Sequence, residues 1–240
     1  MAGHSKWKNI MHRKGRVDAA RGKIFTKLGR ELAIAIKEGG ADPAINTKLR
    51  DAIAKCKANN MPNDNINNAI KKASGDGSNN DYEELVYEAY GINGVAIMIN
   101  VSTNNRNRTA AEVRSVLTKA GGNLGTTGCV AYIFNKKGSI VIEKAKVTIS
   151  EDDLMMIAIE NGAEDFGSEE EVYEITTTPE DFSVVREALE KENIEFLEAE
   201  VQMIANTYIT LDEKDSEKMQ RLVDNLEDLD DVMGVYHNWE

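Results

Sequence analysis

Only two cysteines, Cys56 and Cys129, occur in 240 residues. They are too few and too far apart for a disulfide framework or a zinc site, and a reducing, cytoplasmic compartment fits best. The three histidines, His4, His12 and His237, show neither His-x-x-x-His nor His-Glu-x-x-His spacing, so no metal site is expected. A Gly-x-Ser-x-Gly elbow and a Walker loop are both missing. No coherent set of His, Asp or Cys remains for catalysis, and the expectation is a protein that is not an enzyme, with no cofactor and no small-molecule substrate. The longest apolar runs reach about six residues, as in Leu154 to Ile159, against roughly 18 needed to span a bilayer. No membrane partner is expected. The basic N-terminus has no apolar stretch behind it, which argues against a secretory signal. Its basic, acid-poor character also suits a mitochondrial presequence, but the same residues read as part of a folded helical domain.

What the chain does have is charge, unevenly distributed. Its composition, 41% hydrophobic and 29% charged, is that of a globular protein long enough for two or three domains. The net charge of −12 argues against a polyanionic partner. That average hides a split, because up to Gly75 sixteen basic residues face six acids, leaving 13 basic and 35 acidic residues in the remainder. The first part is thus near +10 and the rest about −22. Nine of the cations fall between Lys6 and Arg30 against a single acid, Asp18. Such clustering is the electrostatic footprint of a nucleic-acid partner, although a solvated basic helix face would look the same.

From Asp18 to Lys37 the residues Ala20, Ile24, Leu28, Leu32 and Ile36 recur every fourth position, predicting a helix that ends at Gly39-Gly40. Lys23, Lys27, Arg30 and Lys37 fall within an arc of roughly 80° opposite Leu28 and Leu32. Asp42-Pro43 reads as the cap and first turn of a second helix carrying Ile45, Leu49, Ile53 and Cys56, the last a small core hydrophobe. A third helix is predicted over Asn63 to Ala73, and Ser74 to Asn80 reads as a linker. Beyond it, strands are expected at Glu84–Tyr90, Gly94–Val101 and Cys129–Phe134, with a helix at Arg106–Ala120. The next segment reads as strand Ser139–Glu143, helix Glu151–Asn161, strands Ala163–Gly167 and Glu171–Thr177, helix Pro179–Glu192 and strand Glu195–Met203. That is the ferredoxin-like βαββαβ order. Strand Thr207–Leu211, helix Lys214–Leu226 and strand Val232–His237 would complete a second such unit begun at Gly94. The expected fold is multidomain α+β: an N-terminal three-helix domain (1–76) followed by two ferredoxin-like α/β domains, one (136–204) inserted in the other (81–135 plus 205–240).

The candidate nucleic-acid contacts are Lys6, Lys8, Arg13, Lys14, Arg16, Lys23, Lys27 and Arg30. Trp7 stands between two of these cations and offers a stacking surface, with a core anchor as the alternative. Arg106 and Arg108 open a helix whose free N–H groups favour an anion, making them a second candidate contact beside the ordinary reading of a solvated helix start. The run Gly122 to Gly128 could cradle a phosphate through its backbone, but it precedes a strand, so a turn is the better reading. Tyr132 and Phe134, two apart on one predicted strand, would share a face, with core packing preferred over base stacking. The acidic clusters Glu169–Glu171 and Glu227–Asp231 lack calcium-loop spacing and read as solvated surface.

The strings Ala2-Gly-His-Ser-Lys-Trp-Lys-Asn-Ile10, His12-Arg-Lys14, Arg21-Gly-Lys-Ile-Phe-Thr-Lys27 and Asn60-Met-Pro62 closely resemble the start of the YebC/PmpR family. The similarity continues through Asn105-Arg-Asn-Arg-Thr109, Gly121-Gly-Asn-Leu-Gly125, Gly128-Cys129, Asp228-Leu-Asp-Asp-Val232 and Tyr236-His-Asn238, nearly the whole chain. The resemblance implies a helical N-terminal domain followed by two α/β domains. It also implies a regulator of gene expression: a DNA-binding transcriptional regulator, or a translation factor acting on stalled ribosomes and ribosomal RNA, as the family's mitochondrial translational activators suggest. No base-reading set of Asn, Gln and Arg on one helix is evident, which favours backbone or shape recognition.

Overall fold

The computed structural model describes residues 2–75 and 82–240, with the side chains of residues 2–6, 8, 9, 13, 14 and 16–20 outside the description. The chain forms α1 (Ala2–Gly39), α2 (Thr47–Ala58), α3 (Asn63–Ser74), β1 (Glu83–Tyr90), β2 (Ala96–Thr103), α4 (Arg106–Lys119), β3 (Asn123–Leu124) and β4 (Phe134–Glu143). It continues through α5 (Glu151–Glu160), β5 (Ala163–Ser168), β6 (Val172–Thr177), α6 (Phe182–Lys191), β7 (Glu198–Ala205), α7 (Glu213–Glu227) and β8 (Val232–His237). These elements gather into two compact units, Met1–Asp76 with Lys136–Gln202 and Gly77–Asn135 with Met203–Glu240. The fold is α+β, with three helices first and two four-stranded sheets after them.

In the first unit, the helix expected from Asp18 begins at Ala2 instead and runs unbroken for 38 residues. Its early turns have a partner that local periodicity cannot show: Ile10 is buried with Val141 and Val172, with Trp7 and Leu197 packed against them. Burying a side chain of that size contributes roughly 1.5–3 kcal/mol. Further along α1, Leu28, Leu32, Ala35 and Ile36 join Leu49, Ala52, Cys56, Met61 and Ile66 in the helical core. Burial pushes the Cys56 thiol up to about 12, as expected of an inert core residue.

The cap of α2 differs from expectation. Asn46, not Asp42, accepts the Leu49 N–H (3.0 Å). Its amide donates to the carbonyls of Ala35 and Gly40, both at 2.7 Å, fastening the end of α1 to the start of α2. Asp42 accepts from the Ala44 N–H (2.9 Å), so Asp42-Pro43 makes a turn before the helix rather than its first residues.

Strands β4 to β7 lie in the order β5-β6-β4-β7, the ferredoxin-like arrangement, with α5 and α6 as its two helices. Ile140 and Ile142 point into the core with Leu154, Ala158, Ile175, Phe182, Val185 and Leu189, whereas Val141, one residue out of step, meets Ile10 of α1. Helices α6 and α2 are joined by polar contacts. Ser183 donates to Asp51 (2.7 Å), buried Arg186 reaches Asp51 (3.3 Å) and Glu190 (2.6 Å), and Arg50 faces Glu187 (3.3 Å). Burial raises the pKa of Asp51, against the lowering pull of Ser183, Arg186 and Arg50.

The second unit has the strand order β3-β1-β2-β8 with α4 and α7, around a core that includes Ile97, Ile99, Val113, Leu117, Met219, Leu222 and Leu226. Here two expected strands are replaced. Thr207–Leu211 contributes only an isolated bridge, Ile209 to Trp239, and β1 occupies the place of the third ferredoxin-like strand. Cys129–Phe134 is interrupted by a tight turn at Ala131–Ile133, and the strand that follows α4 is the two-residue β3, paired with Ala89 and Tyr90. Because of that turn Tyr132 is exposed and Phe134 buried, so the two do not share a face.

Candidate nucleic-acid interface

The candidate cations lie on α1, and its lower half shows how they are displayed. Arg21 and Lys23 are exposed, Lys27 and Arg30 are half-buried, and Lys37 is exposed, while Leu28 and Leu32 beneath them are closed off by α2 and α3. Of the four positions expected opposite Leu28 and Leu32, Lys23 and Lys37 are thus exposed and Lys27 and Arg30 partly covered. The side chains of Lys6, Lys8, Arg13, Lys14 and Arg16 lie outside the described residues; their backbone is α-helical and continuous with the lower half. Trp7 is half-buried against the cluster of Ile10, Val141 and Val172, the place of a packing anchor rather than a free stacking platform. Two cations of α2 meet carboxylates of the same unit: Arg50 faces Glu187, and Lys55 faces Glu200 (3.0 Å) and Glu31 (3.2 Å).

The second candidate anion contact is occupied from within. Arg106 faces Glu83 (3.3 Å), and Arg108 donates to the buried carboxylate of Asp231 (2.7 Å). Asp231 also accepts from the hydroxyls of Thr109 (2.7 Å) and Thr103 (3.1 Å). A buried carboxylate requires such compensation, so Arg108 is a structural counter-ion. The N–H groups of Arg108 and Thr109 are taken by the Asn105 side chain and carbonyl.

The last residue of the glycine-rich run and two residues just after it cradle an anion, but the anion is the protein's own. Glu88, 7% exposed, accepts from the N–H groups of Gly128 (2.6 Å), Val130 (2.7 Å) and Ala131 (2.8 Å). Burial by itself would raise the Glu88 pKa; the three donors outweigh it and hold the carboxyl below its ordinary value. Gly122 permits the approach of β3 to β1, since a Cβ there would stand 2.6 Å from the Tyr90 carbonyl oxygen.

One feature of the helical segment escaped the sequence reading. Helix α3 carries Asn63, Asn65, Asn67 and Asn68, all exposed, as are Asp64, Lys71 and Lys72. The usable signal was the residue type, because asparagine is a poor occupant of helix interiors. Among the described residues, no group of three or more His, Cys, Asp or Glu could hold a metal ion, and no helix is long and apolar enough to cross a membrane.

Three N-terminal helices bearing most of the positive charge, followed by two antiparallel α+β sheets, define a multidomain protein of the kind that joins a basic helical module to acidic α/β modules. Residues 5–76 match the TACO1/YebC protein N-terminal domain, and residues 82–239 match the TACO1/YebC second and third domain. The chain belongs to the TACO1/YebC family. It is 60% identical over 240 residues to a "Probable transcriptional regulatory protein" of Acetivibrio thermocellus, covering 100% of this chain and 99% of the relative. A protein of the same name from Clostridium beijerinckii is 59% identical over 240 residues, covering 100% and 97%. The crystal structure of a conserved hypothetical protein from Aquifex aeolicus is similar with a TM-score of 0.83 at 45% identity, covering 94% of this chain and 93% of that one.

Proposed function

We propose that this protein is a cytoplasmic, non-enzymatic regulator of gene expression that binds nucleic acid through its helical segment, and that its partner is duplex DNA. The observation that carries the reading is α1: one uninterrupted helix on which nine cations and a single acid lie between Lys6 and Arg30. A helix of this length extends about 57 Å, enough to follow a phosphate backbone over more than one turn of a duplex. In this reading Lys6, Lys8, Arg13, Lys14, Arg16, Lys23, Lys27 and Arg30 neutralise phosphates, and Trp7 anchors the start of the helix. The names of the two bacterial relatives support a role in transcription.

The alternative is a ribosome-associated translation factor whose same basic face meets ribosomal RNA. Phosphate contacts supply affinity on either polymer, so the choice rests on partner rather than on face. Retention of the untagged protein on duplex DNA, compared with its sedimentation with ribosomes at matched salt, separates them. Retention on DNA without co-sedimentation is expected; the reverse would transfer the protein to the ribosome.

A further inference from the structure

We propose that α3 is the base-reading helix of a helix-turn-helix, with the amides of Asn65, Asn67 and Asn68 hydrogen-bonding adenine edges in the major groove of duplex DNA. The inference rests on the DNA-binding reading above and adds to it the element that confers sequence preference. Helices α2 and α3 are separated by four residues, Asn59 to Pro62. Asn60 takes a positive φ of 56° there, and Met61 is buried in the helical core. A connection of that length between two helices, the second with its N-terminal residues exposed, fits the turn of this motif.

The face that α3 presents is unusual in composition. Ile66, Ala69, Ile70 and Ala73 pack into the core. At 100° per residue, Asn65, Asn67, Asn68, Asp64, Lys71 and Lys72 spread over an arc of roughly 160° on the other side. Stability alone would fill such positions with Glu, Gln, Lys, Arg or Ala, since asparagine competes with the helix for backbone partners. Among the described residues, none of these three asparagine side chains has a hydrogen-bond partner, so their donors and acceptors are directed to solvent. An asparagine amide offers a donor and an acceptor side by side, the complement of adenine N7 and N6. Asp64, one turn before Asn68, suits the amino group of cytosine. Lys71 and Lys72 each stand one turn after an asparagine, at Asn67 and Asn68, where a helix entering the groove would bring them toward phosphate.

The test is selection of binding sites by the full-length protein from a pool of random duplexes, run beside a pool of random single-stranded RNA. The wild-type protein is compared with the triple variant N65A/N67A/N68A and the double variant K23A/K27A. Alanine favours the helix, and far-UV circular dichroism confirms that the fold is kept. The wild type is expected to enrich a duplex motif containing adenine. The asparagine variant should lose about tenfold to a hundredfold of its preference for that motif over random duplex, with an unchanged salt dependence. An asparagine variant that keeps the wild-type motif would overturn α3 as the reading helix, as would a wild type that enriches no motif. In either case weaker binding by K23A/K27A would leave the DNA-binding reading standing. A motif emerging only from the RNA pool would overturn both.

Discussion

Glu88 stays ionised although it is buried, because three backbone N–H groups converge on its carboxylate. Removing the charge leaves those donors facing a poor acceptor in a closed site. Glu88→Gln is therefore expected to lower stability by about 2–4 kcal/mol at pH 7, measured by urea denaturation. The pH dependence follows from the direction of the shift. An unfolded glutamate titrates near 4.3, whereas the folded carboxyl titrates below its ordinary value. As pH falls from about 4.3 through the folded value, the unfolded chain binds the proton first and the contribution of Glu88 disappears. The gap between wild type and Glu88→Gln should thus be full at pH 7 and much smaller near pH 3. A gap of equal size at both would mean that packing, not the charged cradle, holds the loop from Gly125 to Ile133.

Among the elements, Asn46 fastens the junction of α1 and α2, since it both caps α2 and binds two carbonyls at the end of α1. Asn46→Ala should cost about 1–2 kcal/mol in thermal or chemical denaturation, toward the upper end because three bonds are lost together. Helix α1 also sets an expectation for binding. Lys23→Ala with Lys27→Ala should weaken duplex binding by a similar factor on every sequence, because phosphate contacts position rather than specify; a competition assay on two unrelated duplexes checks this. The helical stripes and the ferredoxin-like order of β4 to β7 were legible because each is written in local periodicity. The early turns of α1 were hidden because Ile10 and Trp7 find their partners more than a hundred residues away. Strand β1 was recognised as a strand, but its place in the sheet depends on pairing with both β2 and β3, which no local pattern states. The Gly122–Gly128 run reads from its glycines as a turn, and the cradle at its end exists only because Val130, Ala131 and, from β1, Glu88 come together with Gly128. The asparagine face of α3 is present in the sequence as a run of unfavourable helix residues.

At the scale of the whole molecule, the sign of the salt dependence separates two pictures of the same chain. With a net charge of −12, a protein acting as one uniform body would be repelled by DNA, and added salt would screen that repulsion and improve binding. The charge is not uniform: the residues up to Gly75 hold sixteen bases and six acids, whereas residues 136–202 hold six bases and nineteen acids. At physiological ionic strength charges are screened beyond about 8 Å, so a phosphate against α1 feels mainly the charges within that range. If six to eight of these neutralise phosphates, log affinity should fall with log salt at a slope of roughly −5 to −7. Fluorescence anisotropy of a labelled duplex between about 50 and 300 mM salt covers the range in which such a slope is steep. A flat or rising curve would show that the carboxylates of residues 136–202 govern the encounter and that α1 does not grip the backbone. A falling curve that K23A/K27A makes shallower by between one and two units would assign the released counter-ions to those two side chains, since each phosphate contact contributes about 0.9 to the slope.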